Sequence, residues 1–237
     1  MIELTPDKAL RRSPLYRRHL QLNAQFEQLG EALVVSAYGD TGMEPRLAIS
    51  LGLADLSCLP RTGFKGPGAP DWAATQGVEI PSAPNTALAQ ADGSMVAKLS
   101  HQELLIVSGM QGDSGLVDSL NQQIPGTGVY SLPRADSHSW LAVTGLLAAE
   151  MFSKICAIDL RTHKFAQGQV AQTSIAKING IIVRQDLGTT PCFHIFSDIA
   201  STEFLWDCLL DAMEEHQGVA IGVAAIRSLD ATELRFY

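Results

Sequence analysis

Slid along itself, the sequence returns one offset, 79 residues, at which similar segments recur in the same order, and a repeat of that kind confines the chain to folds built from two copies of one unit. Gly66 falls on Gly145, Ala69 on Ala148, Asp71 on Glu150, and SMVAKLS from Ser94 on TSIAKIN from Thr173. Six of 35 ungapped positions are identical, so the order of elements carries the argument rather than the identities. In each half a short strand (TGFKG; WLAVTG) leads into a helix-like segment (APDWAATQG; LLAAEMFSKICAIDL), then a strand hairpin and a second helix. The expected architecture is α+β, with two pseudo-repeated β-α-β-β-α units. Residues 1–124 hold an N-terminal extension and the first unit, and residues 125–237 the second unit and a C-terminal tail.

Turn chemistry places the details. Asn179-Gly180 between TSIAKI and IIVRQD suits a type I′ turn, which needs two positive φ angles. AKLSHQELLIV forms the first hairpin with Ser100 to Gln102 at its tip. Ser201 is the expected N-cap of a closing helix in which Phe204, Leu205, Cys208, Leu209 and Met213 recur at helical spacing before Gly218. Its counterpart follows Asp113 and ends near Pro125, and PGTGVYSLPRADS reads as the connector. Within the first fifty residues, VVSAYGDTGMEPRLAIS reads as a strand pair docked on the first unit or, as the alternative, as a partner-facing arm.

Three glycines in LPRTGFKGPG look at first like a phosphate cradle. Their spacing, Gly63, Gly66 and Gly68, reverses the dinucleotide fingerprint, Pro67 lacks an N–H, and no Lys-Ser/Thr pair follows. The matching turn VTGLLA keeps only Gly145, so the shared requirement is one glycine where a strand gives way to a helix.

A net charge of -8, from 17 basic and 25 acidic side chains, argues against a nucleic-acid partner. The longest apolar runs, such as GVAIGVAAI at 218–226, fall well short of the roughly 20 residues a membrane span needs. The charged start MIELTPDKALRRSPLYRR has no apolar signal region, so the expected location is the cytoplasm. Cys58, Cys156, Cys192 and Cys208 have no close pairing and read as reduced thiols.

SPLYRRHLQLNAQF (13–26), GLADLSCLPRTGFKGPGA (52–69) and SWLAVTGLLAAEMFSKICAIDL (139–160) resemble the folate-dependent aminomethyltransferase superfamily, that of the glycine-cleavage T protein. Within it the likeness is to the gamma subunit of heterotetrameric sarcosine oxidase, on the L-P-R-x-G-x-x-G run at 59–66, APNTAL at 83–88, MVAKLSHQELLIV at 95–107 and GQVAQTSIAKI at 168–178. The resemblance implies a folate-binding type of fold without the C-terminal barrel domain, and a non-catalytic chain alongside alpha, beta and delta-type subunits. FAD, FMN and NAD are expected in those partners. The complex would oxidatively demethylate sarcosine and pass the one-carbon unit to tetrahydrofolate.

Departures from the transferase pattern sharpen that expectation. The family's carboxylate pair, glycine-isoleucine-aspartate-aspartate, is replaced by ALAQADGSMV, where Asp92 is the one acid and stands as the candidate folate-pocket residue. The second-half G-Y-T-G-E-x-G-F-E run is replaced by AKINGIIV, without a carboxylate. Transfer of a one-carbon unit needs a positioned carboxylate, so no catalytic residue, no metal ligand and no cofactor of its own are expected, with tetrahydrofolate as the possible exception. The alternative is a stand-alone folate-binding protein or small aminomethyltransferase with a divergent pocket between the halves.

Other chemistry has simpler readings. Asp136-Ser137-His138 holds the residue types of a hydrolase triad, but triad members converge in space and rarely adjoin in sequence, so a polar loop is expected. Cys192 and His194 offer two ligands where zinc wants three or four, and PCFHIFSD reads as a half-buried strand. HKFAQGQVA keeps Gly168 and Gln169 of an iron–sulfur maintenance motif but lacks its cysteine. Trp72, Trp140 and Trp206 read as core, and Arg11, Arg12, Arg17, Arg18, Glu214 and Glu215 as solvated faces.

Overall fold

The computed structural model describes residues 6–39, 42–112 and 115–230. After a short 3-10 turn come β1 (Arg11–Arg12), α1 (Tyr16–Gln21) and the hairpin of β2 (Gln25–Leu29) and β3 (Ala32–Ala37). Helix α2 (Glu44–Leu51) then runs into β4 (Gly52–Asp55). VVSAYGDTGMEPRLAIS is therefore not a strand pair: its first part is β3, whose partner is β2, and its last part is α2, begun by Pro45 in the first turn where its missing N–H costs nothing. Asp40 and Thr41 of that stretch lie outside the described residues.

The first unit follows as β5 (Arg61–Lys65), α3 (Ala69–Thr75), β6 (Thr86–Ala89), β7 (Met95–Ser100), β8 (Glu103–Val107) and α4 (Gly115–Gln122). Asp113, expected just before α4, lies outside the described residues. The connector carries β9 (Tyr130–Leu132) and α5 (Arg134–Ser137). The second unit is β10 (His138–Thr144), α6 (Ala148–Phe152), β11 (Val170–Ile175), β12 (Ile178–Arg184), β13 (Cys192–Asp198) and α7 (Thr202–Glu214). β14 (Val219–Ala220) and α8 (Val223–Asp230) complete the described chain. The α+β class and the twofold repetition hold, with three strands rather than two between the helices of each unit.

The two main sheets have matching orders, β6-β7-β8-β5-β9 and β11-β12-β13-β10-β4-β14. They also trade strands. β4 directly precedes β5 in the chain yet pairs with β10, and β9 directly precedes β10 yet pairs with β5. Two crossovers, 56–60 and 133–137, thus pass between the sheets, and the units interlock across the 124/125 boundary. A third sheet, β1-β3-β2, is made by the N-terminal segment.

One apolar cluster joins the facing sides of all three sheets, through Met95, Leu105 and Val107 from one, Trp140, Ala142, Val183 and Phe196 from the second, and Ala32 and Val34 from the third. The alternation of side chains along each strand sends the intervening residues outward. Leu104 and Ile106 meet α3 and α4, and Leu141, Val143 and Ile195 meet α6 and α7. β13 alternates as expected but is buried on both faces, not half-buried. Trp140 and Trp206 are core, whereas Trp72 is partly buried against Phe64.

Three local expectations are corrected. The second-unit turn is Ala176-Lys177, with φ of +48° and +67°, and Asn179-Gly180 lie inside β12 opposite Ser174 and Thr173. This register sets Val170 against Val183 in the core, where a turn at Asn179-Gly180 would set Lys177 against the buried Ile182, so burial outweighs turn preference. Helix α6 stops at Phe152 because the chain beyond it turns to meet the hairpin: Ile155 accepts a hydrogen bond from Ala176 N at 2.8 Å and Cys156 bridges Ile175. Ser201 makes no side-chain cap. Asp198 caps the preceding 3-10 turn instead, and Phe204 is 56% exposed while Trp206 takes the buried position.

Candidate functional site

Between the units lies a cleft of about 270 Å³. The first unit lines it with the β6–β7 turn, including Asp92, and with Ser108 to Gln111 after β8. The second contributes Gln185, Asp186 and Leu187 after β12, with His194 from β13, and α8 adds Asp230. Asp92 therefore stands where the two halves meet. One of its oxygens is committed locally: Oδ1 accepts the Ser94 N–H at 2.9 Å, which shapes the Asp92-Gly93 turn.

The second unit's acid is Asp186, which no motif in the sequence marks; Asn179 and Gly180 of AKINGIIV line a separate groove of about 400 Å³ beside His138. Arg184 clasps both oxygens of Asp186 at 2.9 and 2.6 Å, and Cys192 N donates to it at 3.2 Å. Arg184 donates also to the carbonyls of Thr162 and Phe165, so this acid belongs to a structural clasp. His194 is wholly buried and accepts the Trp140 Nε1–H on Nδ1 at 3.1 Å. Burial drives its pKa down to about 4, against a backbone hydrogen bond at Gln185 and the charge of Asp186, so the ring is neutral. Cys192 Sγ lies 3.7 Å from His194 Nε2, and burial pushes the thiol pKa up, so neither is set for metal or nucleophilic chemistry. Among the described residues no group of three or more His, Cys, Asp and Glu is placed to hold a metal.

The cleft matches the polyanionic tail of a folate poorly. Its volume is just below the roughly 300 Å³ at which pockets for drug-sized ligands begin. Asp92, Asp186 and Asp230 line it, no Lys, Arg, Phe, Tyr or Trp side chain among the described residues does, and a polyanionic folate tail would meet carboxylates there.

Asp136, Ser137 and His138 do not form a triad. Asp136 pairs with Arg11 at 2.9 Å. Arg134 Nη1 donates to His138 Nε2 at 3.0 Å, so the ring proton sits on Nδ1 and points at Ser137 Oγ, 2.9 Å away, with the Ser137 hydroxyl donating to Pro133 O. The imidazole lone pair is occupied, and burial with the Arg134 charge lowers its pKa to about 4. Gly168 and Gln169 instead join the units: Ala87 N donates to Gly168 O at 2.6 Å, and Thr86 bridges Gln169.

A buried polar cluster was not foreseen at all. Asp55, at the end of β4, accepts from Ser13 Oγ and Ser57 N and lies 2.8 Å from His19 Nε2, whose Nδ1 is 2.7 Å from Tyr38 Oη. Burial alone would raise the Asp55 pKa, but the hydrogen bond and charge of His19, with Ser13 and Ser57, bring it below the ordinary value. The signal in the sequence was an aspartate inside the apolar run LGLADLSCL, where an acid must find donors.

This architecture, two interlocked α+β units around a shared cleft, is that of aminomethyltransferases and of a sarcosine oxidase chain. Residues 15–233 match the family described as GCVT N-terminal domain, and the chain belongs to that family. Among curated relatives, the aminomethyltransferase of Acidobacterium capsulatum is 25% identical over 93% of this chain and that of Mycobacterium leprae 24% over 94%; the chain spans 62% of the length of each. Among solved structures, a chain of the heterotetrameric sarcosine oxidase from Corynebacterium sp. U-96 is 25% identical with a TM-score of 0.64, covering 87% of this chain and 96% of that one. Glycine cleavage system aminomethyltransferase T from Bartonella henselae superposes with a TM-score of 0.72 at 18% identity, over 94% of this chain and 62% of its own. No helix among the described residues is long and apolar enough to cross a membrane.

Proposed function

We propose that this chain is a non-catalytic, gamma-type subunit of a heterotetrameric sarcosine oxidase in the cytoplasm. Its alpha, beta and delta-type partners would carry FAD, FMN and NAD, oxidise sarcosine to glycine and hand the one-carbon unit to tetrahydrofolate. The observation that carries this reading is coverage. The likeness to the Corynebacterium sarcosine oxidase chain takes in 96% of that chain, whereas the aminomethyltransferases are matched over 62% of theirs. The cleft supports it from the chemical side, since Asp92 shapes its own turn, Asp186 is clasped by Arg184 and His194 is neutral and hidden. None of these is set to move a proton at a bound amine. The role left to the chain is to present a rigid, interlocked surface to larger subunits.

A second reading, a stand-alone folate-binding protein, draws support from the position of Asp92 in the inter-unit cleft. The two separate cleanly in one experiment. The tagged chain is purified from its native host, and the retained material is tested for larger chains, flavin absorption and sarcosine-dependent oxidation. A yellow complex that oxidises sarcosine is the expected result. A colourless, solitary chain that binds tetrahydrofolate saturably, with binding lost in Asp92→Ala, overturns it in favour of the second reading.

A further inference from the structure

Arg61 is a buried cation with no anion against it among the described residues. It is 2% exposed, and its Nη1 and Nη2 groups donate to the carbonyl oxygens of Ser57, Leu59, Ala135 and His138, while the remaining N–H, on Nε, is buried without a hydrogen-bond partner. Arg134 and Arg184, also buried, each pair with a carboxylate, Glu103 and Asp186. What approaches Arg61 is a second cation. Arg11 Nη2 donates to the same Ala135 carbonyl, at 2.8 Å against 3.1 Å for Arg61 Nη2, and the carboxylate that Arg11 touches, Asp136, is 74% exposed. One positive charge is thus left over at this point. Burial, with the charge of Arg11, lowers the Arg61 pKa to about 10. Carbonyl dipoles orient a buried guanidinium but do not neutralise it.

Both guanidinium groups line a cavity of about 460 Å³ where the β2–β3 turn and α4 meet the two crossovers. That volume falls within the roughly 300–1,000 Å³ of ordinary small-molecule sites. Its charges are sorted by depth: Arg61 is buried and Arg11 half-buried, whereas the two acids of the lining, Glu31 and Asp118, are exposed. Leu29, Pro60 and Val117 supply apolar wall. A cationic floor under an acidic mouth admits one negative charge and opposes a divalent ion.

We propose that this cavity binds a small monocarboxylate with a short apolar body. The carboxylate lies between Arg11 and Arg61, where it supplies the missing counter-charge and an acceptor for the Arg61 Nε–H, and the body rests on Leu29, Pro60 and Val117. The cavity shares no lining residue with the cleft between the units, and the inference does not rest on the subunit reading.

The test uses the full chain labelled with ¹³C and ¹⁵N, titrated at neutral pH and constant ionic strength with sodium benzoate. Benzamide serves as the neutral analogue of the same shape, and sodium phosphate as the divalent competitor. The Arg61 Nε–H signal is assigned by through-bond correlation to its own backbone, so Arg61 stays in place and its clasp on the fold is undisturbed. Benzoate is expected to shift this signal saturably, with a dissociation constant on the order of a millimolar, as befits a ligand of so few atoms. Benzamide should bind about tenfold more weakly, since the charge-assisted contact is lost. Arg11→Gln gives up one exposed ion pair and should weaken benzoate binding about three- to tenfold, while Glu31→Gln removes a negative charge at the mouth and should tighten it about twofold. Arginines with a purely structural role would give neither change. The proposal is overturned by shifts that do not saturate, by benzamide binding as tightly as benzoate, by phosphate binding more tightly than benzoate, or by affinity unchanged in both variants.

Discussion

Gly66 and Gly145 occupy the same backbone corner in the two units. Their φ angles are +128° and +114°, and their N–H groups donate to Gln102 O and Pro191 O at 2.8 and 2.9 Å. A Cβ on either would lie 2.0 or 2.2 Å from a carbonyl oxygen, of Gly128 or Ser50. Each therefore lets a strand turn into a helix while a second backbone segment crosses over it. Gly145→Ala is expected to destabilise the chain by at least about 3 kcal/mol, from the forbidden φ and the backbone clash together. Gly77, also at positive φ (+85°) but with open space around it, should cost only about 1 kcal/mol when changed to alanine. Urea midpoints of the two variants, compared with the parent, decide whether the crossing or the dihedral alone is responsible.

Arg61 fastens the two strand-trading crossovers together. It is 2% exposed, and Nη1 donates to Ser57 O and Leu59 O while Nη2 donates to Ala135 O and His138 O. Ala135 O also takes Arg11 Nη2 at 2.8 Å, so two guanidinium groups converge on one connector carbonyl. Arg61→Lys keeps the charge but not the planar fork, and a single ammonium cannot reach carbonyls on both crossovers. A loss of about 2–4 kcal/mol is expected, with unfolding that stays a single transition because both units depend on the same clasp. A variant as stable as the parent would show that strand trading holds without it.

These residues also show what the sequence could and could not disclose. The glycine pair was legible because both its partners and its spacing recur at one offset, and the burial of Trp140 and Trp206 because apolar periodicity is a local signal. The trading of β4 and β9 was not, since pairing across more than 60 residues leaves no local trace; nor was the third strand in the first unit, TALA, which is short and half-exposed. At the candidate site, Asp92 was found from a family pattern, whereas Asp186, Ser94 and Ser108 reach the cleft only through the packing of one unit on the other.

The Ser13, His19, Tyr38 and Asp55 cluster ties the N-terminal segment to β4. Every member but Asp55 and Ser57 comes from that segment, so removing the carboxylate strips several buried donors of their acceptor at once. Asp55→Ala is expected to cost about 3–5 kcal/mol and to open the first forty residues to proteolysis ahead of the rest. Limited digestion followed by mass analysis of the fragments reads this directly. Digestion that begins in the connector near Gly126 in both parent and variant would place the weak point elsewhere.

Acid should loosen the fold well before the carboxylates are protonated. His194 is 0% exposed and its pKa is lowered to about 4, so the folded state resists the proton that the unfolded chain takes up near its ordinary value of 6.5. A depressed histidine contributes stability that is fully present above the unfolded value and is lost as pH falls from about 6.5 toward 4. Over that window the loss from His194 alone is about 3 kcal/mol. His138, lowered to about 4 by burial and by Arg134, acts in the same direction with less weight because it is only partly buried. His194→Asn keeps a hydrogen-bond acceptor near Trp140 Nε1 and removes the titration, so its stability curve should be lower at pH 7 yet flatter between pH 6.5 and 4. Urea midpoints at four or five pH values for parent and variant measure this. Parallel curves would mean that the acid limb belongs to other groups, with Asp55 the next to test, since its lowered pKa confines its own contribution to more acidic conditions.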